Sequence, residues 1–417
     1  MLERSRRVVV TGLGMVTPLG LDVKTTWGNV IAGKSGIAPI TLFDASQHVT
    51  KFAGEVKGFD ATNYVSRKDV RRMDRFAQFA VAASKEAVGS AGLTIDINNK
   101  DSIGVIIGSG IGGLTTLYQE MRVEMEQGPK RVSPFLIPMM IADMAASQVS
   151  IALGLKGPNL CITTACSSGS DAIGVAYEII RRGEAKAIIA GGSEAIVNPI
   201  GIAAFNALNA LSTRNDAPEK ASRPFDAERD GFVIGEGAGI MVLEDSDHAR
   251  VRGAKILAEI IGYGATADAF HITQPSQDGE GAARAIRLAL SEARLGVNDI
   301  DYINAHGTST PLNDKTETLA VKSVFGERAY QIPMSSTKSM VGHLIGAAAG
   351  VEAIICIMAI QEGIIPPTIN LTHPDPACDL DYVPNTARKA ELRTVLKSSF
   401  GFGGHNSVLI FRRFSEV

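Results

Sequence analysis

The stretch Asn159-Leu-Cys-Ile-Thr-Thr-Ala-Cys166-Ser-Ser-Gly-Ser170 sets an apolar, strand-like run against a Ser/Gly turn that opens a helix of small residues. A strand feeding into a helix is the building unit of α/β architecture. The first N–H groups of a helix lack partners inside it, and the aligned peptide dipoles add partial positive charge there. A free thiol titrates near ~8.5, and a helix start can bring it to about 3.5 to 7.5. Cys166 is therefore a candidate nucleophile, the alternative being a small buried hydrophobe.

Outward from this unit, short β-branched runs alternate with longer helical stretches, the pattern of a largely parallel α/β fold. Strands are predicted at Arg7 to Thr11, Ile103 to Ile107, Ala187 to Ala190, Gly239 to Leu243, Ile256 to Ile261, Asp301 to Ala305 and Ser407 to Phe411. Helices are predicted at Arg75 to Ala91, Ala142 to Leu153, Ser170 to Arg182, Gly281 to Ala293, Lys315 to Val324 and Leu344 to Ile360. The Cys166 unit has an echo. Gln331 to Ile360 runs Ile-Pro-Met-Ser-Ser-Thr-Lys338, then a Gly342-His343 turn, then Leu-Ile-Gly-Ala-Ala-Ala-Gly. A helix that is apolar nearly all round is buried. Two similar halves, 1–254 and 255–417, are expected to meet through these central helices. The echo also sets His343 at the place of Cys166 in the other half.

Composition narrows the function. With 417 residues, 45% hydrophobic and 20% charged, the chain can bury a large core. A net charge of −3 argues against general nucleic-acid binding. Four cysteines in a chain this long do not suggest a disulfide framework, and a reducing cytoplasm suits them. The apolar run after the basic Met1 to Arg7 is too short for a signal peptide, and no stretch reaches the roughly 18 uninterrupted apolar residues of a membrane span. A soluble, cytoplasmic protein is expected.

Gly108-Ser-Gly110-Ile-Gly112-Gly113 matches the dinucleotide pattern, but Leu114 to Glu126 is followed by Gln-Gly-Pro-Lys-Arg-Val-Ser-Pro, with no second strand to complete the βαβ unit. These glycines instead let a loop approach other backbone. His306 ends a predicted strand in Tyr302-Ile-Asn-Ala-His306, where α/β proteins place reactive groups. No carboxylate or cysteine spacing joins His306 and His343 into a zinc set. Lys338 and Glu352 fall in a segment that otherwise reads as core, and charges are almost never fully buried unless paired, so a Lys338–Glu352 ion pair is expected. Ser398 to Asn406 reads either as a glycine-interrupted aromatic loop able to present backbone N–H groups or swing a phenyl ring, or equally as a tight turn capping the last strand. His48, His248, His271, His373 and His405 have no comparable setting.

Taken in order, Val9-Val-Thr-Gly-Leu-Gly-Met-Val-Thr-Pro18, Thr163-Thr-Ala-Cys166-Ser-Ser, Arg223-Pro-Phe-Asp-Ala-Glu-Arg-Asp-Gly-Phe232, Asn304-Ala-His306-Gly-Thr-Ser-Thr310, Lys338-Ser-Met-Val-Gly-His343-Leu and Phe400-Gly-Phe402-Gly-Gly404 span nearly the whole chain. In these motifs the chain resembles the β-ketoacyl-[acyl-carrier-protein] synthases, condensing enzymes of fatty-acid synthesis with a thiolase-like fold. The Cys-His-His set resembles the elongating members. The loop around Ile111 resembles synthase II more than synthase I.

The resemblance implies two βα halves packed as α-β-α-β-α layers, and an acyltransferase that condenses acyl and malonyl groups held on acyl carrier protein. It implies that Cys166 takes the acyl chain and that His306 and His343 bind the malonyl thioester oxygen. Backbone N–H groups of Cys166 and Phe402 would hold the oxyanion, and Lys338 and Glu352 would tune the imidazoles. Thr308 and Thr310 would hold the phosphopantetheine arm, with Phe400, Phe402 and Ile111 shaping and gating the acyl pocket. Lys68, Arg71 and Arg72 would dock the acidic carrier. A homodimer without metal or organic cofactor is implied, with no nucleic-acid or membrane partner. His405 departs from the threonine usual after the Gly-Gly pair. A polyketide ketosynthase and a non-catalytic chain-length subunit are the alternatives.

Overall fold

The computed structural model describes residues 6–416; of the basic N-terminal reading, residues 1–5 lie outside them. Ten strands form the main sheet: β1 (Val8–Val16), β2 (Ile103–Gly108), β3 (Asn159–Ile162), β4 (Ala187–Glu194), β5 (Gly237–Asp245), β6 (Ala258–Ala267), β7 (Tyr302–Asn304), β8 (Met334–Ser335), β9 (Thr394–Gly401) and β10 (His405–Arg412). Their spatial order is β8-β7-β9-β10-β6-β1-β5-β4-β2-β3. Each set of five, taken in chain order, therefore runs third, second, fourth, fifth, first. Pairing directions repeat as well. The second strand of each set is parallel to the third and fourth, and the fifth is antiparallel to the fourth and first. The two sets join where Val8 to Val10 meet Ala258 to Ile260.

The pairing corrects the expectation of a largely parallel sheet. The fourth and fifth strands of each set are antiparallel neighbours. Of the two readings of 398–406, the pairing bears out the tight turn that leads into the last strand rather than an open loop. Most of that segment is β-hairpin, with Gly401 opposite His405 and Gly403 and Gly404 at positive φ in the turn between them. Glycine adopts that conformation without the Cβ penalty, which is how a Gly-rich stretch hides a tight hairpin.

The principal helices are α1 (Arg75–Ala91), α2 (Leu114–Gln127), α3 (Met144–Leu153), α4 (Ser168–Arg181), α5 (Glu280–Ala293), α6 (Pro311–Phe325) and α7 (Ala348–Glu362). Helices α4 and α7 lie between the inner faces of the two strand sets, while α1 and α3 cover one outer face and α5 and α6 the other. This is the α-β-α-β-α layering. Helix α7, Ala-Ala-Gly-Val-Glu-Ala-Ile-Ile-Cys-Ile-Met-Ala-Ile-Gln-Glu, is apolar around its circumference because strands flank it on both sides. Each of its fully buried isoleucines contributes roughly 1.5–3 kcal/mol. Residues Ile345–Glu362 are long and apolar enough to cross a bilayer, but 83% of that stretch is buried inside the fold.

Candidate active site

Cys166 sits in the middle of a short turn, Ala165–Ser167, that runs straight into α4. Ala165 holds φ at +51°, a left-handed conformation that costs a non-glycine residue of order 1–3 kcal/mol. The surroundings hold it there. Ser168 Oγ donates to the Ala165 carbonyl at 2.6 Å and accepts from the Thr164 N–H at 3.0 Å, while Ser167 Oγ reaches the Ser399 and His405 carbonyls. The same device recurs in the other half. Ile345 stands at φ +45° in the turn Ile345–Ala347, which runs into α7. Residue for residue, Cys166 therefore matches Gly346. His343 lies three positions earlier, which corrects the expectation that it occupies the equivalent of Cys166. A Cβ at Gly346 would fall 2.3 Å from the Gly110 nitrogen, so that place cannot carry a side chain.

His343 is instead clamped by a bridge to the 233–235 segment. Its N–H donates to the Val233 carbonyl at 2.7 Å, and its carbonyl accepts from the Gly235 N–H at 2.9 Å. His306 follows β7 and is held from α6, where Glu317 accepts the His306 and Gly307 N–H groups, each at 2.8 Å. Both imidazoles are buried, with ring centroids 5.4 Å apart and planes at 86°. Phe400 meets His306 edge-on at 5.7 Å and Phe232 meets His343 at 5.4 Å. Among the described residues, His306 Nδ1 and both ring nitrogens of His343 have no hydrogen-bond partner. Buried polar atoms left this way are costly unless a bound group satisfies them.

Cys166, His306 and His343 line one cavity of about 490 Å³, and so do Ile111, Thr308, Thr310, Phe400 and Phe402. Thr308 and Thr310 share a hydroxyl hydrogen bond of 2.9 Å. Phe205, Phe232 and Ile345 complete an apolar wall that the sequence reading did not single out. Lys338 and Glu352 do not line the cavity. They form the expected ion pair behind it, fully buried, Nζ to Oε1 at 2.5 Å. His405 starts β10 outside the cavity wall, its ring near Gly403. Lys68, Arg71 and Arg72 are exposed near the start of α1. Asp69 accepts from Ser66 and Asp74 from Thr116 and the Phe76 N–H, and among the described residues neither forms an ion pair with these cations. Arg72 lies over the Phe135 ring at 4.8 Å.

Electrostatics divides the three reactive groups. Burial, then the nearby Lys338, Lys397 and, for His306, the other imidazole, hold both histidines well below 6.5, so both are neutral. Burial pushes the Cys166 thiol up to about 11, although Lys338 and the Phe402 N–H oppose the shift. The expectation of a thiolate in the resting site is thereby corrected: removal from water outweighs the helix start. The N–H groups of Phe402 and Cys166 both act against the burial shift at this sulfur, which sets the expected oxyanion donors beside it.

Three buried charges were not foreseen. Glu317 positions His306. Lys397 on β9 lies 2.8 Å from Glu352 Oε2. Glu194 ends β4 and ties the Ile111 loop to the second half: Oε2 accepts from the Gly110 and Gly346 N–H groups, and Oε1 from Ser109 Oγ and the Gly112 N–H. Burial raises Glu194 and Glu317 to about 7 each. The signal for Glu194 and Glu317 was a carboxylate within otherwise buried segments, which demands backbone or cationic partners.

The chain belongs to the beta-ketoacyl synthase family: the model of the N-terminal domain matches residues 5–249 and that of the C-terminal domain residues 257–372. Among its curated relatives, the 3-oxoacyl-[acyl-carrier-protein] synthase 2 of Synechocystis sp. is 54% identical over 409 residues, 98% of either chain. The enzyme of that name from Staphylococcus aureus strain COL is 50% identical over 413 residues, 99% of this chain and 100% of the other. A ketosynthase of a type II PKS, solved in complex with its acyl-carrier protein, superposes with a TM-score of 0.92 at 37% identity, covering 99% and 100%. A beta-ketoacyl synthase from Burkholderia phymatum STM815 gives 0.91 at 40%, covering 98% and 100%.

Proposed function

We propose that this protein is an elongating 3-oxoacyl-[acyl-carrier-protein] synthase that joins an acyl-carrier thioester to a malonyl-carrier thioester by decarboxylative Claisen condensation in fatty-acid synthesis. The observation that carries the reading is the convergence of one thiol and two neutral imidazoles, with unpartnered ring nitrogens, on one largely apolar cavity.

In the first half-reaction, Cys166 Sγ attacks the acyl thioester carbonyl, whose developing oxyanion sits against the N–H groups of Cys166 and Phe402. As the intermediate collapses, the thiol proton leaves with the departing phosphopantetheine sulfur, giving acyl-Cys166 and free carrier thiol. In the second, neutral His306 and His343 donate hydrogen bonds to the malonyl thioester oxygen. Carbon dioxide departs, the enolate left behind attacks the acyl-Cys166 carbonyl, and the Cys166 sulfur is released as a thiolate that takes one proton from solvent to restore the thiol. A covalent intermediate divides a hard condensation into two easier steps. Decarboxylation supplies the carbanion, so no strong base is needed, and the chemistry calls for no metal or organic cofactor. Lys338 and Glu352 tune the imidazoles from behind, Thr308 and Thr310 hold the phosphopantetheine arm, and Phe400, Phe402 and Ile111 shape the acyl channel.

Acyl carrier protein is the proposed partner, docking beside Lys68, Arg71 and Arg72. We also infer a homodimer. Strand β3 is a sheet edge carrying exposed Leu160, and exposed Ile151 lies on α3, which packs beside it. An unprotected apolar edge of this kind calls for a partner strand. The division into 1–254 and 255–417, and a cytoplasmic location, complete the proposal. The polyketide reading draws support from ketosynthase neighbours at 37–38% identity, against 50–54% for the synthase 2 relatives. A non-catalytic chain-length subunit would have no use for Cys166. The test is to supply saturated and unsaturated acyl-carrier substrates of graded length with malonyl-carrier. Formation of 3-oxoacyl-carrier from saturated chains supports the assignment, and failure with every acyl chain overturns it.

A further inference from the structure

Strand β9 pairs with β7 at Lys397–Asn304 and with β10 at Lys397–Leu409, which sets Lys397 in the interior of the second strand set. The residue is 0% exposed. Its Nζ donates to the Ser398 carbonyl at 2.6 Å and to Ser399 Oγ, and it lies 2.8 Å from Glu352 Oε2. Two of these oxygens take hydrogen bonds and the third stands at ion-pair distance, surroundings that suit an ammonium ion. The other oxygen of Glu352 takes Lys338 Nζ. One buried carboxylate therefore sits between two buried lysines; burial pulls the Lys397 ammonium below its ordinary value while Glu352 opposes that shift, and with both lysines protonated the cluster carries one net positive charge. Lys397 faces Glu352 and Cys356 from α7, Lys338 from the Lys338–Val341 turn, and the imidazoles of His306 and His343; the rest of the cluster is faced by Cys166 and Glu317, which stand near Lys338, and by Tyr302, which stands near Glu352.

An unbalanced buried cation is costly unless something negative arrives to meet it. The proposed reaction brings such a group twice, first as the malonyl carboxylate and then as the enolate. We propose that Lys397 is a positioning residue of the condensation: it holds Glu352 against Lys338 and supplies the surplus positive charge that these anions meet beside His306 and His343. This role rests on the function proposed above. It predicts that Lys397 matters to malonyl decarboxylation and hardly at all to acylation of Cys166.

The test uses the full-length Lys397→Met enzyme with malonyl-carrier and acyl-carrier, following carbon dioxide release and acyl-enzyme mass separately across pH. Decarboxylation is expected to fall roughly 10-fold in kcat/KM, less than the 10²–10³ of a direct oxyanion donor. Acylation should change by less than about 2-fold, far below what loss of a catalytic group costs. Removing a cation lets the imidazoles protonate at higher pH, so the acid limb of decarboxylation should move up by about half a unit or more. Should the Met variant not fold, Lys397→Gln carries the same readouts, since it keeps a donor and loses the charge. An unshifted acid limb, or equal losses in both half-reactions, assigns Lys397 a purely structural role and overturns the proposal. Absence of decarboxylation in the unmodified enzyme overturns the functional reading itself, and this role with it.

Discussion

The His306 and His343 rings meet in a T-shaped pair with 5.4 Å between centroids, although the two residues descend from different strands and are clamped by different neighbours. Neither ring is oriented by the other's chain segment. Glu317 fixes one through the backbone, and the Val233–Gly235 segment fixes the other. Because both rings are neutral and buried, each can donate one hydrogen bond to the same thioester oxygen without a prior proton transfer. Replacing His343 by Ala is therefore expected to slow malonyl decarboxylation by about 10² to 10³, the usual worth of one such donor. Acylation of Cys166 should be much less affected. Stopped-flow carbon dioxide release and acyl-enzyme mass, measured on the same preparation, check the difference, and equal losses would contradict the assignment.

The pH response follows from the direction of each shift. Both histidines have folded pKa values below 6.5, so the neutral forms persist as pH falls through that value and are lost only on further acidification. Decarboxylation should stay flat from about pH 8 down through about pH 6.5 and decline only on further acidification. The thiol behaves oppositely. Held up to about 11 by burial, Cys166 should show alkylation by iodoacetamide that still climbs at about pH 10. A plateau near neutrality would mean that the helix start prevails over burial.

Glu194 is predicted to be a stability residue of the pocket mouth. Its two oxygens accept from three backbone N–H groups and one hydroxyl. Glu194→Gln turns one of those acceptors into an N–H₂ group facing other donors, which should cost about 1–3 kcal/mol. A thermal melt reads the loss, and an unchanged midpoint would remove Glu194 as the link between Gly110 and Gly346.

Charge reversal of Lys68, Arg71 and Arg72 to Glu should raise KM for carrier-linked substrates at low salt and leave turnover of small acyl thioesters unchanged. Such steering acts mainly on association and fades as ionic strength rises. Kinetics at two salt concentrations distinguish this from a general defect, and an unaltered KM at low salt would remove the docking patch.

Much of this was legible in the sequence. The Cys166 turn, its echo at Gly342-His343 and the apolar helix α7 identify two halves sharing a core, and the expected Lys338–Glu352 pair is present. Strand order was not legible, since pairing between residues such as Val395 and Tyr302 leaves no local trace. The echo also misplaced His343, because composition aligns turns only approximately, whereas the paired positive φ of Ala165 and Ile345 aligns them residue by residue. Lys397 escaped notice for a general reason: a lone lysine in a short apolar strand ordinarily points to water. Its burial depends on Glu352, more than forty residues away in the chain. The thiol's state was misjudged because the sequence reveals the helix start but not the depth at which the sulfur lies.

The central claim is that Cys166 carries the growing chain and surrenders it to a decarboxylated malonyl unit. Intact-protein mass spectrometry on enzyme mixed with acyl-carrier and then malonyl-carrier tests it most directly. The account predicts a single acyl adduct, mapped by proteolysis to Cys166, absent from Cys166→Ala, and discharged on addition of malonyl-carrier as the carrier product lengthens by two carbons. An adduct that survives the substitution, or one that malonyl-carrier does not discharge, would contradict it.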